Sequence, residues 1–152
     1  MDALAPDVTR RGIPLFFGLW YALVVATNTT DLLRVAGLLP ERFGWTSDNY
    51  ALVVGHIGAT GAASVVVHAV YLLGVAWELT IAALMLRAAR ADRPEATRAA
   101  FTAALAFWAV FLLGDEAALA YRFGDAMTAH FVIFLTHAAG LLVADHAATW
   151  RA

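Results

Sequence analysis

Four stretches of this sequence, about 13–29, 61–86, 99–121 and 127–148, are almost free of charge. Each is close to the ~20 residues that a helix rising 1.5 Å per residue needs to cross a membrane's hydrocarbon layer. The composition agrees with four spans. Of 152 residues, 62% are hydrophobic and 14% charged, and the mean hydropathy is +0.71. Soluble domains carry about 25% charge, so a water-soluble globular enzyme is excluded. The net charge is −2, every basic residue is arginine, and no basic cluster has aromatics interleaved with it, which excludes disorder and a nucleic-acid partner. There is no cysteine, hence no disulfide, thiolate metal site or cysteine nucleophile.

The fold expected is all-α: a single integral membrane domain built as a four-transmembrane-helix bundle. Arg10 and Arg11 flank the first span, and Arg87, Arg90, Arg93 and Arg98 lie between the second and third. On the opposite side Arg34, Arg42 and Arg122 are balanced by Asp31, Glu41, Asp48 and Asp125. The positive-inside rule then places both termini and the arginine-rich loop in the cytoplasm, with the protein in a bacterial inner membrane. Pro94 should stop the helix in that loop, and Glu95 should sit in the first turn of the third span. The long connection 32–60 faces outward. Its apolar piece 51–57 is too short to span and is broken by glycines, so it reads as a short interfacial helix. The first span also has the basic flank and the Val24, Ala26 spacing of a signal peptide, but it is expected to be retained.

Small residues at four-residue spacing mark helix contacts in lipid. Thr136, Gly140, Ala144 and Ala148 form such a stripe on the fourth span, and Gly58 with Ala62 and Ala59 with Ala63 form two more before the second. Packing within the bundle is the expected use of all of them. Phe16, Phe17, Trp20, Trp45, Tyr50, Tyr121 and Trp150 fall near span ends and read as an aromatic belt, implying no cofactor.

Ionisable residues inside spans are costly, at about 2.5–3.5 kcal/mol each, and they face a bundle interior or a wet cavity. From the span centres, His68, Glu116 and His130 lie roughly 9–10 Å to the outer side of the midplane, and Asn28 and Asp31 roughly 7–12 Å. His68, Tyr71, Val75 and Glu78 share one seam of the second span, as Tyr21, Val24, Asn28 and Asp31 do on the first. His130 and His137, seven apart, share a face of the fourth. A layer holding Asn28, Asp31, His68, Asp115, Glu116 and His130 has the donors for a transition metal, for a haem between His68 and His130, or for a proton relay. It is equally able to do no more than fix packing. Glu78 falls roughly 6–7 Å to the cytoplasmic side with no basic partner in view, so it either anchors packing or carries protons. His56 and His146 read as interfacial.

The run Asn28-Thr29-Thr30-Asp31, then His68, Tyr71 and Glu78, then Gly114-Asp115-Glu116, resembles an uncharacterised bacterial family of predicted small integral membrane proteins, domain of unknown function 2165. The likeness extends from the first span to the fourth. Where that family has an aromatic residue after the last glutamate and a Trp-Asn-Gly-type turn, Ala117 and Arg122-Phe123-Gly124-Asp125 stand here. The resemblance implies a four-span fold and draws attention to Asp31, Glu78 and Glu116, but it supplies no reaction.

No serine elbow, phosphate-binding glycine loop or zinc-protease helix occurs. The function expected is therefore non-enzymatic: an accessory or structural subunit, with the lipid bilayer and membrane-protein subunits as partners. A metal- or haem-binding membrane protein and a small proton or ion carrier using Glu78 and Glu116 are the alternatives.

Overall fold

Backbone N–H and C=O groups leaving water must be satisfied within the chain, and an apolar run does this by winding into a helix. The computed structural model describes residues 4–117 and 126–149. These form α1 (Leu4–Val35), α2 (Asn49–Gly58), α3 (Ser64–Ala91), α4 (Pro94–Ala117) and α5 (Ala126–Thr149). All but α2 are long and apolar enough to cross a membrane. Phe16 on α1, Leu73 on α3, Leu113 on α4 and Leu142 on α5 are 63–72% exposed. Each long helix thus turns large apolar side chains outward, the reverse of a water-soluble bundle. The chain is a multi-pass membrane protein.

The helices outlast the apolar runs. Beyond 29, α1 continues through Asp31 and Arg34, and beyond 86, α3 continues through Arg87 and Arg90. The next turn is set by Asp92, which adopts a left-handed backbone at φ 51° and donates its N–H to the Ala88 carbonyl at 3.1 Å. Pro94 then opens α4, where its missing N–H is no loss, and Glu95 follows in the first turn. The Asp92 carboxylate also pairs with Arg10, and with Arg11 at 3.2 Å, fastening this turn to α1. Burial opposes ionisation of Asp92, but the two arginines hold its carboxyl below the ordinary carboxylate range.

The four long helices close into a ring in which α1 packs on α3, α3 on α4, α4 on α5 and α5 on α1. Phe17, Tyr21, Ile81, Met85, Phe101, Phe107 and Trp108 fill its centre. Tyr21 and Trp108 are buried with their polar atoms paired, the indole Nε1–H donating to the Tyr21 hydroxyl at 2.8 Å. Two glycines set the spacing. A Cβ on Gly18 would lie 3.1 Å from the Leu86 backbone nitrogen, and one on Gly140 would lie 2.9 Å from the Phe101 ring and 3.0 Å from the Phe17 ring.

Three expectations about faces are corrected. On α5, Gly140 and Ala144 pack inward, whereas Thr136 faces out and returns its hydroxyl to the Val132 carbonyl; the Ala148 side chain lies outside the described residues. Gly58 and Ala59 sit at the end of α2 and meet no packing partner as a stripe, because the chain turns through Gly61 at φ +80° before α3 begins. Of the expected belt, Phe16 and Trp45 are exposed, but Phe17 and Tyr50 are buried. Phe17 joins the core, and Tyr50 is taken up by a hydrogen bond to His68. Tyr121, Trp150 and the Arg122–Asp125 turn lie outside the described residues.

Candidate functional site

The connection after α1 folds back along that helix, with the Ser47 N–H on the Thr27 carbonyl at 3.3 Å and the Thr30 hydroxyl on the Trp45 carbonyl at 2.7 Å. This return delivers the start of α2 to Asp31. The Tyr50 N–H donates to Asp31 Oδ2 at 2.9 Å, so a carboxylate from α1 satisfies the open N-terminus of α2. Arg34 reaches Asp31 Oδ1 at 2.9 Å and also pairs with Asp48, whose carboxyl it holds below the ordinary range. Asp31 is 1% exposed and fully engaged. It docks α2.

Asn28, one turn earlier, is just as fully bonded. Its Nδ2 donates to Glu78 Oε2 at 2.7 Å, its Oδ1 accepts from Asn49 Nδ2 at 2.9 Å, and its carbonyl accepts from the Tyr71 hydroxyl at 2.9 Å. Glu78 therefore belongs to the Asn28 layer and is not stranded on the cytoplasmic side. Counting rise along the axis missed this for a geometric reason. Helical side chains lean toward the N-terminus of their own helix, and α1 and α3 are antiparallel, so Asn28 and Glu78 lean toward one another. Oε2 of Glu78 is occupied, while Oε1 meets no partner among the described residues.

On the other side of the bundle His130 Nδ1 lies 2.5 Å from Asp115 Oδ2, joining α4 to α5. The imidazole packs 5.4 Å from the Trp108 ring and 5.3 Å from that of Phe111. Glu116 does not join this pair. One residue on from Asp115, it points about 100° away around the helix and is exposed. His68 is also apart: its Nδ1–H donates to the Ser64 carbonyl at 2.7 Å, and its Nε2 accepts from the Tyr50 hydroxyl at 2.8 Å. Both nitrogens are used. His68 and His130 thus have separate partners, and Glu116 stands exposed while Glu78 is buried. Among the described residues no three His, Asp or Glu side chains converge to hold a metal ion.

What the fold assembles is a cavity of about 260 Å³ with Asn28 and Glu78 on one wall and Asp115 and His130 on another. Trp108 and Phe111 line it from α4, and Leu52 and Val53 from α2. Its wall is mainly apolar, with a few polar atoms, as in small-molecule sites generally. Gly74 leaves space here, since a Cβ there would find only the Phe111 ring, at 4.0 Å. The sequence reading missed Asn49 and the role of α2 as a wall. The alternation of Leu52, Val53, His56 and Ile57 at helical spacing was the available signal. His137 is 0% exposed among Phe17, Tyr21 and Trp20, with its Nδ1 on the Ile133 carbonyl at 2.7 Å, and it takes no part in the cavity.

Compared with protein-family models, with curated proteins and with solved structures, the chain matches none.

Proposed function

We propose that this protein is a non-catalytic membrane protein that binds a small, mainly apolar molecule in the cavity walled by α2. The observation that carries this is the convergence of Asn28–Glu78 and Asp115–His130 on one apolar space. Structural hydrogen bonding alone would favour filling that space, because packed interiors leave few voids. The reading places α2 at the outer face of a bacterial inner membrane, with both termini cytoplasmic, as the arginine distribution favours. An accessory role in a larger complex fits the short connections, which leave the helix faces as the main surface for partner subunits. Membership of the small integral-membrane family is proposed with it, since five of the ten residues that carry the resemblance, Asn28, Tyr71, Glu78, Gly114 and Asp115, line the cavity.

Benzyl alcohol tests the cavity. In mild detergent it should raise the melting temperature of the purified protein saturably, and Gly74→Phe, which fills the space, should abolish the shift. An absent shift, or an equal one in the variant, contradicts the reading.

A further inference from the structure

The polar atoms lining the cavity are unevenly spent. The Asn28 amide donates to Glu78, the Asn49 amide to Asn28, the Tyr71 hydroxyl to the Asn28 carbonyl, and the Trp108 indole to Tyr21. Each of these groups already donates once, leaving the second N–H of the two amides. Unspent acceptors on the lining residues are Glu78 Oε1, Asp115 Oδ1 and, with the neutral imidazole's hydrogen on Nδ1 and donated to Asp115, His130 Nε2. Glu78 is only 6% exposed. Among the described residues no arginine lines the cavity, and its titratable members there are Glu78, Asp115, His56, His130 and Tyr71. A carboxyl so buried is stable either protonated or beside a positive charge, and the described fold supplies Glu78 with an amide alone. The walls meanwhile offer the rings of Trp108 and Phe111, whose faces attract cations.

We propose that the ligand is a small organic cation, an alkyl or arylalkyl ammonium, with its head toward Glu78 and Asp115 and its body against Trp108 and Phe111. A head bringing N–H donors and positive charge pairs these open oxygens and favours the ionised carboxylates. At about 260 Å³ the space is below that of drug-sized sites, about 300–1,000 Å³, which limits the body to roughly one ring or a short chain. This inference rests on the cavity being a binding site, so its test separates the two claims.

Benzylammonium, benzyl alcohol and benzoate share one body and differ in head. Titrated calorimetrically into the purified full-length protein, benzylammonium should bind at least ten-fold more tightly than benzyl alcohol, and benzoate weakest of the three. Glu78→Gln keeps the shape and the bond to Asn28, and it should bring benzylammonium to within about three-fold of benzyl alcohol. Asp115→Asn should narrow the preference in the same direction. Equal binding of the alcohol and the cation by the wild type overturns the cation proposal and leaves the cavity standing. Binding of none of the three overturns both. The wild-type comparison needs no variant to fold.

Discussion

Asn28, like Asp31, joins α1, α2 and α3 in one hydrogen-bond network, and its two side-chain bonds are both to buried or half-buried partners. Interhelical hydrogen bonds in membranes average about 0.6 kcal/mol, whereas stranding a buried polar group costs about 1–3 kcal/mol. Asn28→Ala strands Glu78, so the second figure governs. We expect the variant to lose about 1–3 kcal/mol in denaturant unfolding from micelles, against under ~0.5 kcal/mol for Thr136→Ala on the outer face. Asp92 gives a prediction in pH. Its carboxyl is held below the ordinary 3.8 by Arg10 and Arg11. A depressed folded-state value contributes stability that is fully present above the unfolded value and is lost as pH falls through the folded one. Melting temperatures followed downward from pH 5 should therefore fall more steeply below 3.8 for the wild type than for Asp92→Asn.

Among the elements, close approach decides packing. Gly140 admits the Phe17 and Phe101 rings against the α5 backbone, and Gly140→Ala should lose about 1–3 kcal/mol by overpacking, measured by the same unfolding. Gly114→Ala, with nothing near its Cβ, should be close to neutral. The long helices were legible because uninterrupted apolar runs in lipid have few alternatives to a helix. The seams of Tyr21, Val24, Asn28 and Asp31, and of Tyr71, Val75 and Glu78, were legible because helical period fixes which residues share a face. What escaped was reach. Axial rise assigns a depth to Cα atoms, but the Asn28–Glu78 bond depends on how antiparallel side chains lean, and the placement of α2 depends on a loop returning to Asp31. Axial rise groups Asp115 with Glu116 in depth, while the helical period turns them about 100° apart around α4.

At the scale of the whole molecule, the ring of α1, α3, α4 and α5 has two unlike halves. One is filled by Phe17, Tyr21, Met85, Phe101 and Phe107 and closed by the Arg10–Asp92 and Arg98–Asp145 pairs. The other stays open as a mainly apolar cavity with a few polar atoms and α2 as a wall. That asymmetry is the basis of the functional proposal, and the cysteine-free sequence makes it directly measurable. Single cysteines at Val75, which lines the cavity, at Leu73, exposed on the outer face of the same helix, and at Ala104, in the core, would be exposed in native membranes to a water-soluble maleimide. Leu73 is 69% exposed, yet lipid excludes water there, so Val75→Cys should label fastest, be slowed by benzylammonium, and leave Leu73→Cys and Ala104→Cys little modified. Fastest labelling of Leu73→Cys would contradict a lipid-facing bundle, and a Val75→Cys as unreactive as Ala104→Cys would contradict the cavity.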